Sequence, residues 1–123
     1  MNRMLLYIAL GGAIGAVARH LLGQWLNAED EPWGTLSANL IGSLLMGALM
    51  GAAAGGQAIS EEILMFLGVG ILGAFTTMST FSVETVEMMR TDMTRGLIYV
   101  SVTCILAPLL ALAGWLGGER IVS

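Results

Sequence analysis

A stretch of fifteen residues, 70–84, brings glycines and hydroxyl side chains together in a part of the sequence that is otherwise strongly apolar. Thr76 is followed by four more hydroxyl residues, Thr77, Ser79, Thr80 and Ser82. Polar side chains and non-helical backbone are tolerated at membrane depth only where protein or a water-filled path surrounds them. The stretch is therefore the first candidate for a functional site.

The chemistry available in this stretch is ion binding. If the backbone leaves the helical conformation near residues 73–76, its freed carbonyl groups can bind a cation. An aromatic ring has a positive edge, so Phe81, among the hydroxyls, can present its ring hydrogens to an anion without holding it tightly. Met78 lies one turn before it. For an isolated aromatic residue, packing in the core or against lipid would be the better interpretation, but beside four hydroxyls and a helix break we favour an anion-facing wall.

Two more polar residues lie within apolar runs. Arg19 carries a charge that costs at least about 2.5 kcal/mol at the centre of a membrane helix, so it must reach the interface or find partners. It can anchor a helix end by capping carbonyl groups, which we favour, or attract an anion. Asn39 can hydrogen-bond to a neighbouring helix or offer its amide to a passing anion, with Ser43 one turn further on, and the residues alone favour neither role.

The composition indicates an integral membrane protein. The chain has 123 residues, of which 56% are hydrophobic and 11% charged, and its mean hydropathy is +0.81. A hydrocarbon core of about 30 Å requires about 20 apolar residues per helix, so the length allows roughly four crossings and no separate soluble domain. The first apolar run is expected to be a retained span and not a signal peptide. We predict one four-helix domain over residues 1–123, with spans at 4–25, 34–54, 61–90 and 96–116.

The third predicted span is too long for one straight crossing. At 1.5 Å per residue it would extend about 46 Å, against a core of about 30 Å. It begins with a good helix start, Ser60 followed by Glu61 and Glu62, since a side-chain cap and two acids suit the positive end of the dipole. The helix therefore either extends beyond the membrane or is broken near residues 73–79, and we predict the break. The fourth span carries Pro108 and is expected to kink there.

The arginines do not choose an orientation. With four spans both termini share one side, which carries Arg3 and Arg120, while the other side carries Arg90 and Arg95, with Arg19 just inside it. The positive-inside rule orients a protein by the difference in basic residues between loops, and this difference is too small. We predict insertion in both orientations and assembly as an antiparallel two-fold homodimer.

No catalytic set is recognisable. His20 is the only histidine and Cys104 the only cysteine, so neither an intramolecular disulfide nor a cysteine-based metal site can form. We expect no enzyme activity and no nucleic-acid partner. A dual-topology drug or cation exporter would share the size and charge balance, but it needs a carboxylate in the first span, and residues 4–25 contain none. A non-transporting membrane scaffold also stays open, for which the polar residues of the third span would be replaceable.

Three separated motifs resemble the Fluc fluoride channel family, also called CrcB. They are GAFTTMSTFSVE at residues 73–84, GGAIGAVAR at 11–19 and GTLSANLIG at 34–42. The resemblance implies a passive fluoride-selective channel, which lets cytoplasmic fluoride leave down its electrochemical gradient and lowers its toxicity. It also implies a multi-pass protein of the prokaryotic inner membrane that forms a dual-topology antiparallel homodimer with two pores.

The same resemblance assigns roles to individual residues. The main-chain carbonyls of Gly73 and Thr76 from both subunits would hold a structural sodium ion at the two-fold axis. The anion pathway and its entry would use six side chains: Asn39, Met78, Ser79, Thr80, Phe81 and, at the entry, Arg19.

Two positions depart from the family pattern. Met78 stands where the family more often has the first of two pore phenylalanines, so a thioether with weakly positive methyl hydrogens replaces a ring edge. The family usually brings Ser or Thr to the pore from the second half of span four, whereas residues 108–114 contain neither. Tyr99, Ser101 and Thr103 lie earlier in that span, and the sequence does not show which of them takes part.

Overall fold

The computed structural model describes residues 3–27 and 31–122, and the predicted domain also includes residues 1, 2, 28–30 and 123, which lie outside this range. The long elements of the described chain are all helices. They are α1 (Arg3–Leu26), α2 (Trp33–Ala54), α3 (residues 61–75), α4 (Met78–Thr91) and α5 (Met93–Val122). Within α3, an α-helical start at Glu61–Ile63 passes into a π-helix over Leu64–Leu72 and ends in Gly73–Phe75.

The prediction of four apolar crossings is confirmed. Helices long and apolar enough to span a membrane lie at Arg3–Leu26, Trp33–Ala54, Glu61–Thr91 and Met93–Ile121. The fourth begins three residues before the predicted span and runs past residue 116, and it continues through Pro108 without interruption. Ser60 caps the third as predicted, because its hydroxyl accepts a hydrogen bond from the Ile63 N–H at 3.2 Å.

The third crossing is broken, in agreement with the expectation from its length. Thr76 (φ −84°, ψ 156°) and Thr77 (φ −149°, ψ 124°) are extended, and they separate α3 from α4 inside the predicted 73–79 region. The hydroxyl of Thr77 then caps α4 by accepting from the Thr80 N–H at 3.2 Å. The crossing is thus two helices joined by two extended residues.

The π-helix of α3 was not predicted from the sequence. Its wide turns lie flat against the glycine face of α1: a Cβ added at Gly11 would collide with the Phe66 carbonyl oxygen, and one at Gly15 with that of Ile71. Small residues of this kind let helix backbones approach closely in a membrane. The contact between α1 and α3 is therefore made by backbone surfaces.

Few apolar side chains are buried within the described part of the single chain. Ala38, Phe81 and Tyr99 are the buried hydrophobic residues, whereas large apolar side chains such as Trp25 and Leu21 are exposed. In a soluble monomer so much exposed apolar surface would be a liability. Here lipid or a second protein surface must cover it, as expected for a membrane protein.

Candidate functional site at the helix break

Asn39 of α2 replaces the hydrogen bonds that the break removes. Its side-chain Nδ2 donates to the Thr77 carbonyl at 3.1 Å, and its Oδ1 accepts from the Thr77 N–H at 2.7 Å. The side chain is 8% exposed. A buried backbone N–H or C=O without a partner costs about 1–3 kcal/mol, so this paired contact stabilises the extended conformation. The geometry favours the packing role that the sequence left open, and Asn39 also lines the cavity described below.

Two backbone carbonyls at the break lose their usual helical donors. In a continuous helix the Thr77 N–H would donate to the Gly73 carbonyl, and the Thr80 N–H to the Thr76 carbonyl. Here the first donates to Asn39 Oδ1 and the second to Thr77 Oγ1. Carbonyl oxygens are suitable ligands for hard cations. The donor set at Gly73 and Thr76 therefore fits the sodium ion that the family resemblance implies.

Arg19 lies against the end of α3. Its Nε donates to the Ala74 carbonyl at 3.1 Å, which places a positive charge at the negative end of that helix. The guanidinium supplies a hydrogen bond to a carbonyl group at the end of the helix, where helical N–H donors are missing. This is the geometry of the helix anchor that the sequence favoured over a role in anion entry.

A cavity of about 380 Å³ opens between the break and α5. Three of the predicted anion-pathway residues line it, namely Asn39, Met78 and Phe81. The full lining comprises Asn39, Ser43, Thr76, Thr77, Met78, Phe81, Thr103, Cys104, Ala107 and Pro108. Phe81 is 6% exposed and Met78 is 73% exposed, so the ring lies deep in the cavity and the thioether at its open side.

Thr103 of α5 carries an unpaired polar atom in this cavity. The residue is 6% exposed, and among the described residues its hydroxyl oxygen is buried with no hydrogen-bond partner. Buried hydroxyls are almost always paired, so we expect a group other than the described residues to supply the partner. A polar ligand or an ion in the cavity would supply one.

Ser79 and Thr80 do not line this cavity. They line a separate opening of about 370 Å³ together with Val83, Glu84 and Glu87. The helical period explains the separation. Met78 and Phe81 are three residues apart and share one face of α4. Ser79 and Thr80 share a different face with Val83 and Glu84, which follow them four residues later. The structure thus places the four predicted pathway residues of α4 on two faces of that helix, with Asn39 of α2 beside the Met78 and Phe81 face.

A polar cluster beside Phe81 was missed by the sequence reasoning. Glu84 accepts two hydrogen bonds, one from the Thr35 hydroxyl at 3.1 Å and one from the Tyr99 hydroxyl at 3.3 Å. The Tyr99 ring packs edge-on against Phe81, with ring centroids 5.2 Å apart and an interplanar angle of 61°. A carboxylate within a span is costly and marks a functional site by default. The carboxylate of Glu84, one turn after Phe81, could therefore have been recognised from the sequence. Its partners could not, because Thr35 on α2 and Tyr99 on α5 lie far from it in sequence.

The contribution of α5 is therefore made in its first half. Tyr99 packs on Phe81, and Thr103, one turn later, lines the cavity at the break. Ser101 lies on a different face, in a shallow opening with Thr94 and Leu97. Of the three hydroxyls that the sequence could not rank, the structure brings Tyr99 and Thr103 to the site.

The fold and this site define a small multi-pass membrane protein with an interrupted third crossing and a polar cavity at the interruption. The profile of the family described as CrcB-like protein, Camphor Resistance (CrcB), matches residues 6–115. The chain therefore belongs to this family, and the resemblance found in the three sequence motifs is confirmed.

Curated relatives match between 72% and 93% of the chain. A protein of Thermotoga petrophila named fluoride-specific ion channel FluC is 40% identical over 118 residues, which cover 93% of each chain. The protein of the same name from Hahella chejuensis is 40% identical over 89% of this chain and 90% of its own. That of Idiomarina loihiensis is 50% identical over 94 residues, or 72% of each chain.

Proposed function

We propose that the chain is a passive fluoride-selective channel of the prokaryotic plasma membrane, which exports cytoplasmic fluoride down its electrochemical gradient. The relatives from Thermotoga petrophila and Hahella chejuensis are named fluoride-specific ion channels, and they match this chain over 93% and 90% of their own length. One observation in the chain itself supports the proposal most directly. The buried hydroxyl of Thr103 has no partner among the described residues and shares a cavity with Asn39 and Phe81.

The proposed pathway is a series of weak donors. A fluoride ion in the cavity would take a hydrogen bond from the Thr103 hydroxyl and another from the second N–H of the Asn39 amide, since only one is used on Thr77. The Phe81 ring edge adds a weakly positive surface. Several such groups compensate for lost water, and none holds the ion so strongly that it cannot leave. Conduction of this kind forms and breaks no covalent bond, so we propose no enzyme activity.

Ser79 and Thr80 would extend the pathway on the other face of α4. Glu84 belongs to both regions, because it lines their opening and accepts the hydrogen bond of Tyr99. An ion passing the Phe81 ring would thus reach the hydroxyls of Ser79 and Thr80 through the Glu84 cluster. Arg19, held on the Ala74 carbonyl, would contribute a positive potential near the break without moving.

We propose an antiparallel homodimer as the working assembly. The chain alone leaves Met78 73% exposed at the edge of the cavity, and Gly73, next to the break, is also exposed. A second copy would complete the cavity wall, and the balanced arginines allow it to insert in the opposite orientation. Four carbonyls, from Gly73 and Thr76 of each subunit, could then coordinate a sodium ion on the two-fold axis. Purification in a large organic cation instead of sodium should weaken dimerisation and flux, and an unaffected protein would argue against the sodium site.

The deciding experiment is release of fluoride from liposomes that contain purified protein, followed with a fluoride electrode. We expect release far above that of protein-free vesicles and no comparable release of chloride. Release no faster than from empty vesicles, or equally fast chloride release, would refute the proposed function. Crosslinking of the reconstituted protein and its mass in detergent test the dimer independently.

A further inference from the structure

An ion pair connects the segment before α2 with the first turn of α5. The Arg95 Nη2 lies 2.7 Å from Glu31 Oε1, and the two side chains are 36% and 42% exposed. Half-exposed pairs of this kind add little to stability, because water screens them and two long side chains must be ordered. The pair is therefore available for a role other than holding the fold together.

Both residues of the pair line a second cavity, of about 220 Å³. Most of the wall is apolar and includes Trp33, Leu36 and Ile98. Among the described residues that line it, Arg95 is the only basic one. An anion in such a cavity has no other positive group to compensate for lost water.

Tyr99 separates this cavity from the Phe81 site. It lines the second cavity, while its ring packs on Phe81 and its hydroxyl donates to Glu84. Arg95, Tyr99 and Thr103 are spaced four residues apart on α5, about 6 Å per step. The three polar groups thus form one stripe that runs from the cavity at the break to the Arg95 end of the helix.

On these grounds we infer that Arg95 attracts the permeating anion at this end of the pathway and that Glu31 competes with the anion for the same guanidinium. The inference depends on the proposed function. Charge-assisted hydrogen bonds from a guanidinium are strong, so an anion that met no competing carboxylate would leave more slowly. With Glu31 as a competing partner, the positive charge is available when an anion arrives and is neutralised again when it leaves. The pair therefore sets the balance between capture and release.

Opposite responses of the two partners test this inference. In the liposome assay, Arg95→Gln should slow release at low fluoride by about tenfold, the lower end of the effect of a focused field on arrival rates. Glu31→Gln should speed release at low fluoride and lower the half-saturating fluoride concentration, because Arg95 then lacks this competitor. Arg95→Lys should keep most of the wild-type rate. Raising ionic strength with an impermeant salt should reduce the difference between wild type and Arg95→Gln.

The matched control is a second ion pair, between Arg3 at the start of α1 and Glu62 at the start of α3. The Arg3 Nη2 lies 3.8 Å from Glu62 Oε1, and the two side chains are 77% and 37% exposed. Neither residue lines the cavities described above. Arg3→Gln and Glu62→Gln should leave release unchanged. The elution profile and melting temperature of every variant show whether it is folded, and Glu31→Gln tests the inference even if Arg95→Gln does not fold.

A purely structural ion pair would behave differently. Arg95→Gln, Glu31→Gln and the double variant would then change release in the same direction and by a similar factor, and this result would overturn the inference. Unchanged release in both single variants would also overturn it. Wild-type protein that releases no fluoride would refute the proposed function itself, and the inference with it, whereas active wild type with equal variant effects refutes the inference alone.

Discussion

Replacing Thr103 by valine should separate function from stability. The two side chains have nearly the same shape, and the Thr103 hydroxyl has no partner among the described residues. Removing an unsatisfied buried hydroxyl does not break an internal hydrogen bond, and it can relieve a penalty of about 1–3 kcal/mol. We therefore expect Thr103→Val to melt at or above the wild-type temperature.

Its effect on transport should have the opposite sign. A hydrogen bond to a charged group contributes about 1.5–3 kcal/mol, and each 1.36 kcal/mol added to a barrier is a tenfold loss of rate. If the hydroxyl donates to the ion where the barrier is highest, Thr103→Val should slow fluoride release about ten- to a hundredfold. The measurement is the initial rate of release from liposomes at matched protein density.

Thr85→Val is the control for this prediction. Thr85 is also buried, but its hydroxyl donates to the Phe81 carbonyl of the preceding turn at 2.8 Å, and that carbonyl keeps its backbone partner in the helix. The variant should release fluoride at close to the wild-type rate. The reasoning would be refuted if Thr103→Val melted clearly below wild type while releasing fluoride normally, since the hydroxyl would then have an internal structural role.

Three further predictions follow from the same site. Asn39→Ala unpairs both backbone groups of Thr77 and should lower the free energy of unfolding by about 2–4 kcal/mol, seen as a lower melting temperature; an unchanged melting temperature would contradict the role of Asn39 at the break. Phe81→Ile should nearly abolish fluoride release from liposomes because the ring edge is lost, and normal release would place the ring outside the path. Met78→Phe should retain release, since the side chain is exposed at the open side of the cavity, and an inactive but folded variant would show that this position packs differently from the family.

The sequence predicted the membrane crossings well because their signal is local. A run of about twenty apolar residues predicts a span, and one of about thirty residues is expected to overhang or break. The exact break at Thr76 and Thr77 was less predictable, because it depends on Asn39, which lies 38 residues earlier than Thr77. The π-helix of Leu64–Leu72 had no signal at all, since the same apolar residues suit an ordinary helix and only the close contact with Gly11 and Gly15 distinguishes it.

The site was predicted in part for the same reason. Asn39, Met78 and Phe81 came from motifs and do meet in one cavity. A linear motif placed Ser79 and Thr80 with them, although the helical period puts them on another face. The partners on α5, Tyr99 and Thr103, could not be found from the chain because their position depends on how α5 packs against α2 and α4.

The two hydrogen bonds between Asn39 and Thr77 hold the break in one backbone conformation, so it is a rigid connection and not a hinge. Both backbone groups of Thr77 are held by a residue of another helix, and the neighbouring Thr80 N–H is held by the Thr77 hydroxyl. Segment motions that open and close a path take microseconds to milliseconds. Because these hydrogen bonds hold α4 against α2, we expect the throughput to depend on how quickly each ion exchanges its water for protein donors, and not on a segment motion at the break.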